Sequence, residues 1–122
     1  MGELFEMSLL KEIEPIKTKD FLQEKFREYY RSADIILPPR FTAREWGFLN
    51  WGGGVMNRHV RFSTINEIKA YLEKTAPAHS YHSVAYYRDP GSKTMIEKKW
   101  QGADLIFDLD ADHLPEMEDV KK

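Results

Sequence analysis

The chain of 122 residues contains no cysteine, and it has no long apolar run. Without cysteine it can form neither a disulfide nor a zinc or iron–sulfur site with thiolate ligands. No stretch approaches the roughly 18 apolar residues that a membrane-spanning helix needs. Glu3, Glu6 and Lys11 interrupt the apolar stretch that a secretion signal requires. We therefore expect an intracellular protein without a membrane partner.

The sequence also lacks internal repeats, low-complexity tracts and flexible linkers, while 42% of its residues are hydrophobic and 13% are aromatic. This composition is typical of one folded domain and not of a disordered chain. We expect an N-terminal arm over residues 1–16, a single α+β domain over residues 17–116 and a charged tail over residues 117–122.

Charge is distributed unevenly along the chain. Residues 17–103 have a net charge of +6, whereas residues 1–16 and 104–122 have net charges of −3 and −5. A basic body beside an acidic segment suits a surface for a polyanion next to a site for a cation. Small domains often show similar unevenness, so charge alone leaves the function open.

Local patterns predict two helices and four strands. Apolar spacing predicts a helix over residues 18–32, and a second helix starts at the T-x-x-E capping box of residues 64–67 and ends before Pro77. Strands are predicted over residues 41–49 and 58–62, as a hairpin around Gly52-Gly53-Gly54, and then over 80–87 and 103–110. Residues 89–92 form a predicted turn. This order predicts an α+β fold with a mixed or antiparallel sheet and two main helices.

The predicted strand over residues 103–110 has the most informative pattern. Alternate side chains of a strand point to opposite faces. Leu105, Phe107 and Leu109 would then share an apolar face. Asp108 and Asp110 would point together from the other face, with Cα atoms roughly 6.5 Å apart.

Two carboxylates this close repel each other. Unit charges about 6 Å apart repel by about 2.8 kcal/mol at an effective dielectric constant of ~20. A bound cation removes this cost, and oxygen ligands select hard ions such as Mg²⁺ or Mn²⁺. The same pattern also occurs where a strand ends in a solvated acidic loop, and both interpretations stay open here.

Arginines cluster around the predicted hairpin at positions 40, 44, 58 and 61, interleaved with aromatic residues. Arginine and aromatic side chains together suit phosphate contacts and base stacking. A solvated basic face above a core of aromatic residues is the alternative.

Several short motifs follow one another between residues 18 and 115. They are R-E-W-G-F at 44–48, R-F at 61–62, T-A-P at 75–77, S-V-A-Y-Y at 83–87, D-L-I-F-D-L-D at 104–110 and L-P at 114–115. In order and spacing, this series resembles the N-terminal part of the small, catalytic subunit of archaeal and eukaryotic DNA primases, with the archaeal members closest.

The resemblance implies a nucleotidyltransferase that makes short primers on single-stranded DNA from nucleoside triphosphates. It implies that Asp108 and Asp110 are catalytic and hold two Mg²⁺ or Mn²⁺ ions. Glu45 is expected to support this site and Arg61 to lie near the nucleotide or template, with Arg44 and Arg40 as further candidate contacts. The implied partner is the primase large subunit, and we expect the protein to lie in the cytoplasm or nucleoid.

The sequence departs from the family pattern after the acidic pair. It lacks the family's third metal-binding carboxylate, its Ser-Gly-Arg-Gly-x-His nucleotide-binding segment and the Cys/His zinc knuckle of many members. We therefore expect a fragment, a separately encoded portion or a truncated relative that binds metal poorly and polymerises nothing alone. Two other functions stay open: a non-catalytic nucleic-acid- or protein-binding domain on a primase-like scaffold, and a small metal-dependent nuclease.

Overall fold

The computed structural model describes the backbone of residues 2–110 and the side chains of residues 17–110. In chain order the elements are α1 (Gly2–Ser32), a 3-10 helix (Phe41–Ala43), β1 (Trp46–Leu49), β2 (Asn57–Val60), α2 (Ile65–Thr75), β3 (His79–His82), β4 (Ala85–Tyr87), α3 (Met95–Lys98) and β5 (Trp100–Ala103). Every strand pairing among them is antiparallel. The predicted α+β class with two main helices is confirmed.

Helix α1 begins at Gly2, well before residue 18, where the helix was predicted to start. Its backbone passes through the predicted boundary between arm and body at residue 16. The tail over residues 117–122 lies outside the described residues, and the domain boundaries stay predictions. Within the described part of the chain, no helix is both long and apolar enough to cross a bilayer.

The core lies between the sheet formed by β1, β2 and β3 and the two long helices. Phe48 is 2% exposed and Ile68 on α2 is 1% exposed. Aromatic rings meet edge to face across this core, with Phe62 5.8 Å from Trp46 between ring centroids. Burial of these side chains is the main force that joins the hairpin to α2.

Capping threonines begin both helices that follow the hairpin. Thr64 Oγ1 accepts a hydrogen bond from the Glu67 N–H (3.2 Å), as the capping box predicts, and α2 ends at Thr75, followed by Ala76 with a φ of 38°. The same T-x-x-E pattern recurs at Thr94, where Oγ1 accepts from the Glu97 N–H (3.2 Å). Helix α3 was not predicted, although the signal for it is present in the sequence.

The strands form two sheets, with the orders β2-β1-β3 and β4-β5. A single strand over residues 80–87 was predicted, and this prediction is wrong because the chain changes sheets at Ser83. The Ser83 hydroxyl accepts from the Glu45 N–H (3.0 Å) and donates to the Ala85 carbonyl (2.8 Å). A side chain that hydrogen-bonds to backbone groups in this way competes with the backbone hydrogen bonds between strands. Strand β3 therefore ends, and β4 begins in the second sheet.

The predicted hairpin is present, but its strands are shorter than predicted. Arg40 follows two prolines and has a φ of 56°, so the chain makes a 3-10 helix before β1 starts at Trp46. Strand β2 ends at Val60, directly after His59, which has a φ of 61°. A left-handed residue of this kind interrupts regular strand geometry.

The predicted strand over residues 103–110 is wrong beyond its first residue. Strand β5 ends at Ala103, and residues 104–110 have no regular secondary structure. One further ladder bond runs from the Asp104 N–H to the Val84 carbonyl (2.8 Å). An extended segment needs a partner to form a strand, and no described strand pairs with residues 105–110.

Candidate metal and nucleotide site

Asp108 and Asp110 lie in the irregular segment after β5, and both side chains are exposed. The apolar residues beside them are exposed too, Phe107 by 77% and Leu109 by 90%. The predicted alternation of an acidic face with a buried apolar face is therefore absent from this structure. In the part of the chain that the structure describes, no three histidine, cysteine or acidic side chains are grouped so that they could hold a metal ion.

Glu45, directly before β1, is surrounded by basic side chains. Lys98 Nζ lies 3.2 Å from Glu45 Oε1, and Arg58 Nη2 donates to Glu45 Oε2 at 3.1 Å. His59 Nδ1 lies 3.3 Å from Glu45 Oε1 and 2.6 Å from Lys98 Nζ. Burial alone would raise the pKa of Glu45, but the hydrogen bonds and charges of Lys98 and Arg58 outweigh it and lower the pKa. These contacts fit the supporting role expected of Glu45, which stays a prediction.

Lys98 was missed by the sequence analysis. It is only 1% exposed, and its Nζ also donates to the Ser92 carbonyl. A Lys-Lys pair is usually part of a solvated surface, so composition gave no reason to expect burial. The available signal was the Thr94 capping box, because the helical turn that it begins ends at Lys98.

Arg61 and Arg40 are the exposed members of the predicted nucleotide-binding set. The Arg61 side chain is 54% exposed, and its Nη1 lies 3.5 Å from Asp89 Oδ1. An exposed pair at that distance contributes little stability, so Asp89 does not compete strongly with a phosphate for Arg61. The Arg40 guanidinium carbon lies 4.7 Å from the centre of the Tyr86 ring. Both guanidinium groups therefore lie at the surface, and their roles stay predictions.

Arg44 is placed quite differently. Its side chain is 1% exposed, with Nε donating to the Pro39 carbonyl (2.9 Å) and Nη1 to the Ser83 carbonyl (2.8 Å). Its Nη2 lies 2.7 Å from Asp104 Oδ2. This burial argues against the predicted contact between Arg44 and a nucleotide or template. The structure instead pairs Arg44 with Asp104, the first residue of the irregular segment 104–110, which is called the acidic segment below.

Similar curated proteins share one description. The DNA primase small subunit PriS of Methanocella arvoryzae is 52% identical over 102 residues, which cover 81% of this chain and 26% of that protein. PriS of Methanococcoides burtonii is 53% identical over 103 residues, covering 82% of this chain and 26% of that protein. PriS of Methanothrix thermoacetophila is 53% identical over 100 residues, covering 82% of this chain and 25% of that protein. No protein-family model matches the chain.

The resemblance predicted from the motifs is therefore confirmed, and the chain is related to the small subunits of DNA primases. More particularly, it is homologous to the N-terminal portion of the archaeal small subunit PriS. It spans about a quarter of the length of these relatives.

Proposed function

We propose that this chain supplies the N-terminal portion of a primase catalytic subunit, which joins nucleotides into short primers on single-stranded DNA. The identity of 52% to a primase small subunit over 81% of the chain carries this proposal. The exposed Asp-x-Asp motif after β5 supplies the chemistry that such an enzyme requires, because nucleotidyl transfer commonly uses divalent ions held by carboxylates.

Asp108 and Asp110 are the residues that we propose to hold Mg²⁺ or Mn²⁺. Carboxylate oxygens are suitable ligands for these hard ions, and both side chains are accessible to solvent. When bound, such ions stabilise the negative charge of the reacting phosphates. Since no group of three metal-binding side chains is found within the described residues, we propose that a further ligand comes from outside residues 2–110.

The basic residues would act on the substrate in different ways. Arg61 is the best placed to contact a phosphate of the nucleotide or template, because its guanidinium is exposed and weakly paired. Arg40 is a second candidate, restricted by its position over the Tyr86 ring. Glu45 would act indirectly, by holding Arg58 of β2 in place.

The exposed apolar residues of the acidic segment support the view that more protein covers it in a working enzyme. Leu105 is 83% exposed, Ile106 60% and Leu109 90%. A contiguous run of exposed apolar side chains is typical of a surface that another part of a protein covers. We propose that further parts of a primase small subunit cover these side chains. We also propose the primase large subunit as a partner and the nucleoid as the location.

Primer synthesis tests this proposal. In a chimera, residues 1–110 of this chain replace the matching portion of Methanocella arvoryzae PriS, and primers are assayed on a single-stranded template. Asp108→Asn and Asp110→Asn should each abolish synthesis. Asp34→Asn removes an exposed carboxylate in the segment after α1 and should leave synthesis intact. Retained synthesis in both Asp108→Asn and Asp110→Asn would contradict the proposal.

A non-catalytic DNA-binding domain is the second candidate, favoured by the net charge of +6 over residues 17–103. Such a domain should bind single-stranded DNA with a logarithmic salt slope of about −0.7 per phosphate contacted. Arg61→Gln should then reduce the slope by about 0.7. An affinity that does not respond to salt would exclude this candidate, and Mg²⁺-dependent cleavage by the chain would instead indicate a nuclease.

A further inference from the structure

We propose that Arg44, Tyr86 and Asp104 form a positioning network that sets the path of the segment carrying Asp108 and Asp110. A corollary is that Asp104, the first aspartate of the D-L-I-F-D-L-D motif, is not a metal ligand. The inference rests on the metal-binding role proposed for Asp108 and Asp110, and it gives Arg44 a function other than contact with nucleotide.

Both oxygens of the Asp104 carboxylate are occupied by buried partners. Arg44 Nη2 lies 2.7 Å from Oδ2, and the Tyr86 hydroxyl donates to Oδ1. Arg44 Nη2 also donates to the Tyr86 hydroxyl oxygen at 3.2 Å. Hydrogen bonds between charged groups are stronger and more directional than neutral ones, so this triangle fixes the orientation of the Asp104 side chain.

Arg44 connects the triangle to the body of the protein. Its Nε and Nη1 donate to the carbonyls of Pro39 and Ser83, which lie before the 3-10 helix and at the junction of the two sheets. The guanidinium is planar, and its donors have fixed relative directions. Two backbone carbonyls, one of them 39 positions away in the sequence, therefore hold one rigid group, which in turn holds Asp104.

Tyr86 adds a second constraint through its ring. The guanidinium carbons of Arg40 and Arg44 each lie 4.7 Å from the ring centre, and the side chain is largely buried. Cations at this distance are attracted to the face of an aromatic ring. The hydroxyl that donates to Asp104 is consequently held at a defined position.

Asp104 is also the last residue of the backbone ladder, with its N–H bonded to the Val84 carbonyl (2.8 Å). Beyond it the chain leaves the sheet, and Asp108 follows four residues later. Four extended residues span roughly 13 Å, so a small rotation at Asp104 displaces Asp108 by several ångströms. The network therefore acts where the direction of the segment is determined.

The same contacts separate Asp104 from the metal-binding pair. A cation at Asp104 would have to displace Arg44, whose side chain is 1% exposed, and would leave a buried guanidinium without its carboxylate. Asp108 has an exposed side chain and makes no such buried ion pair with the side chains of residues 17–110. In this scheme Asp104 orients the segment, and Asp108 and Asp110 are the metal ligands.

The first test uses the 122-residue chain and backbone amide chemical shifts from NMR. Tyr86→Phe keeps the ring but removes the hydroxyl that donates to Asp104, and Asp104→Asn changes the carboxylate itself. Both variants should shift the amide signals through to residue 110. Glu73→Gln, which alters only the exposed Arg31–Glu73 pair, is the control and should leave those signals unchanged. Shifts confined to the direct neighbours of the substituted residue would overturn the inference, whatever the function of the chain.

The second test measures the Mn²⁺ concentration for half-maximal primer synthesis in the chimera. Substitution of residues that orient metal ligands commonly weakens metal binding 10- to 100-fold, so we expect an increase of about tenfold for Arg44→Met and a smaller one for Tyr86→Phe. KM for the nucleotides should stay within about twofold, because neither residue contacts the substrate in this scheme. Arg31→Met is the matched control for loss of an arginine, and Tyr86→Phe serves as the milder variant if Arg44→Met does not fold.

The outcomes of the two tests separate the inference from the proposed function. Synthesis that survives Asp108→Asn would overturn the proposed function, and the chemical shifts would still decide whether the network positions the segment. Synthesis lost in Asp108→Asn but an unchanged Mn²⁺ requirement in Tyr86→Phe would overturn the inference alone. Asp104→Asn should recover its maximal rate at high Mn²⁺, and a permanent loss equal to that of Asp108→Asn would show that Asp104 is itself a ligand.

Discussion

The carboxylates of this chain lie in two different environments. Glu45 and Asp104 each lie against a cation that is 1% exposed, namely Lys98 for Glu45 and Arg44 for Asp104. Asp108 lies on an exposed segment whose apolar side chains also face solvent. Carboxylates of the first kind hold parts of the fold together, while one of the second kind is accessible to a ligand. Neighbours from distant parts of the chain, and not the residue type, make this difference.

The largest expected difference in the free energy of unfolding is between alanine substitutions of two phenylalanines. Phe48 is 2% exposed in the core and Phe107 is 77% exposed on the acidic segment. Phe48→Ala should lower the free energy of unfolding by about 4 kcal/mol, because it removes buried apolar surface and leaves a cavity. Phe107→Ala should change it by less than about 0.5 kcal/mol. Denaturant titration measures both, and equal losses would show that the segment packs against the body.

Two adjacent lysines provide the next contrast. Lys98→Met leaves the carboxylate of Glu45 without its buried partner and should cost about 3 kcal/mol. Lys99→Met is the matched control, because the Lys99 side chain is exposed; it should cost less than about 0.5 kcal/mol. Thermal unfolding of both variants checks the contrast. A small effect of Lys98→Met would mean that Glu45 is satisfied by Arg58 and His59 alone.

Acidification should remove the contribution of Glu45. Its burial raises the pKa, but Lys98 and Arg58 outweigh this effect and bring the pKa below the ordinary value of 4.5. A group of this kind stabilises the fold above its unfolded-state pKa, and the contribution is lost as the pH falls through the lower folded-state pKa. Glu45→Gln should therefore cost about 2 kcal/mol near neutral pH, where the carboxylate is charged.

The gap between the melting temperatures of wild type and Glu45→Gln should begin to narrow as the pH falls below about 4.5, where the carboxyl group becomes neutral in the unfolded state. The two proteins should converge only below the lower pKa of the folded state, where the carboxyl group is neutral in both states. A gap between the two proteins that widens on acidification would contradict the pairing of Glu45 with the two cations.

The smallest expected losses of stability come from substitutions in two identical capping motifs. Thr64 begins the 11-residue helix α2 and Thr94 begins the four-residue helix α3. Thr64→Ala should cost about 1 kcal/mol, a usual value for loss of a helix N-cap. Thr94→Ala should cost less, because α3 is a single turn that the contacts of Lys98 also hold. Circular dichroism during denaturation checks both values, with the serine variants as controls that retain the cap.

Short-range patterns were sufficient for much of the fold. The hairpin, the capping box at Thr64, the end of α2 before Pro77 and the turn over residues 89–92 all depend on residues within a few positions of one another. The turn, for example, is closed by Ser92 Oγ donating to Asp89 Oδ2 at 2.7 Å. The motif series was also sufficient to relate the chain to primase small subunits.

Long-range contacts were the part that could not be predicted. Arg44 and Lys98 have the composition of surface residues, and only the folded chain places each of them beside a carboxylate. Arg44 meets the Tyr86 hydroxyl 42 positions away. The error over residues 103–110 has a related cause, since an apolar run has strand propensity but becomes a strand only beside a partner.

Periodicity, capping signals and motif order in the sequence were thus enough to predict the class of fold and the family resemblance, and they single out Asp108 and Asp110 as candidate ligands, which stays a prediction. The folded chain alone established which charged groups are buried, where β5 stops and which residues hold the start of the acidic segment. The reason is that propensity acts between near neighbours, whereas burial and hydrogen bonding of a side chain depend on residues that meet only after the chain has folded.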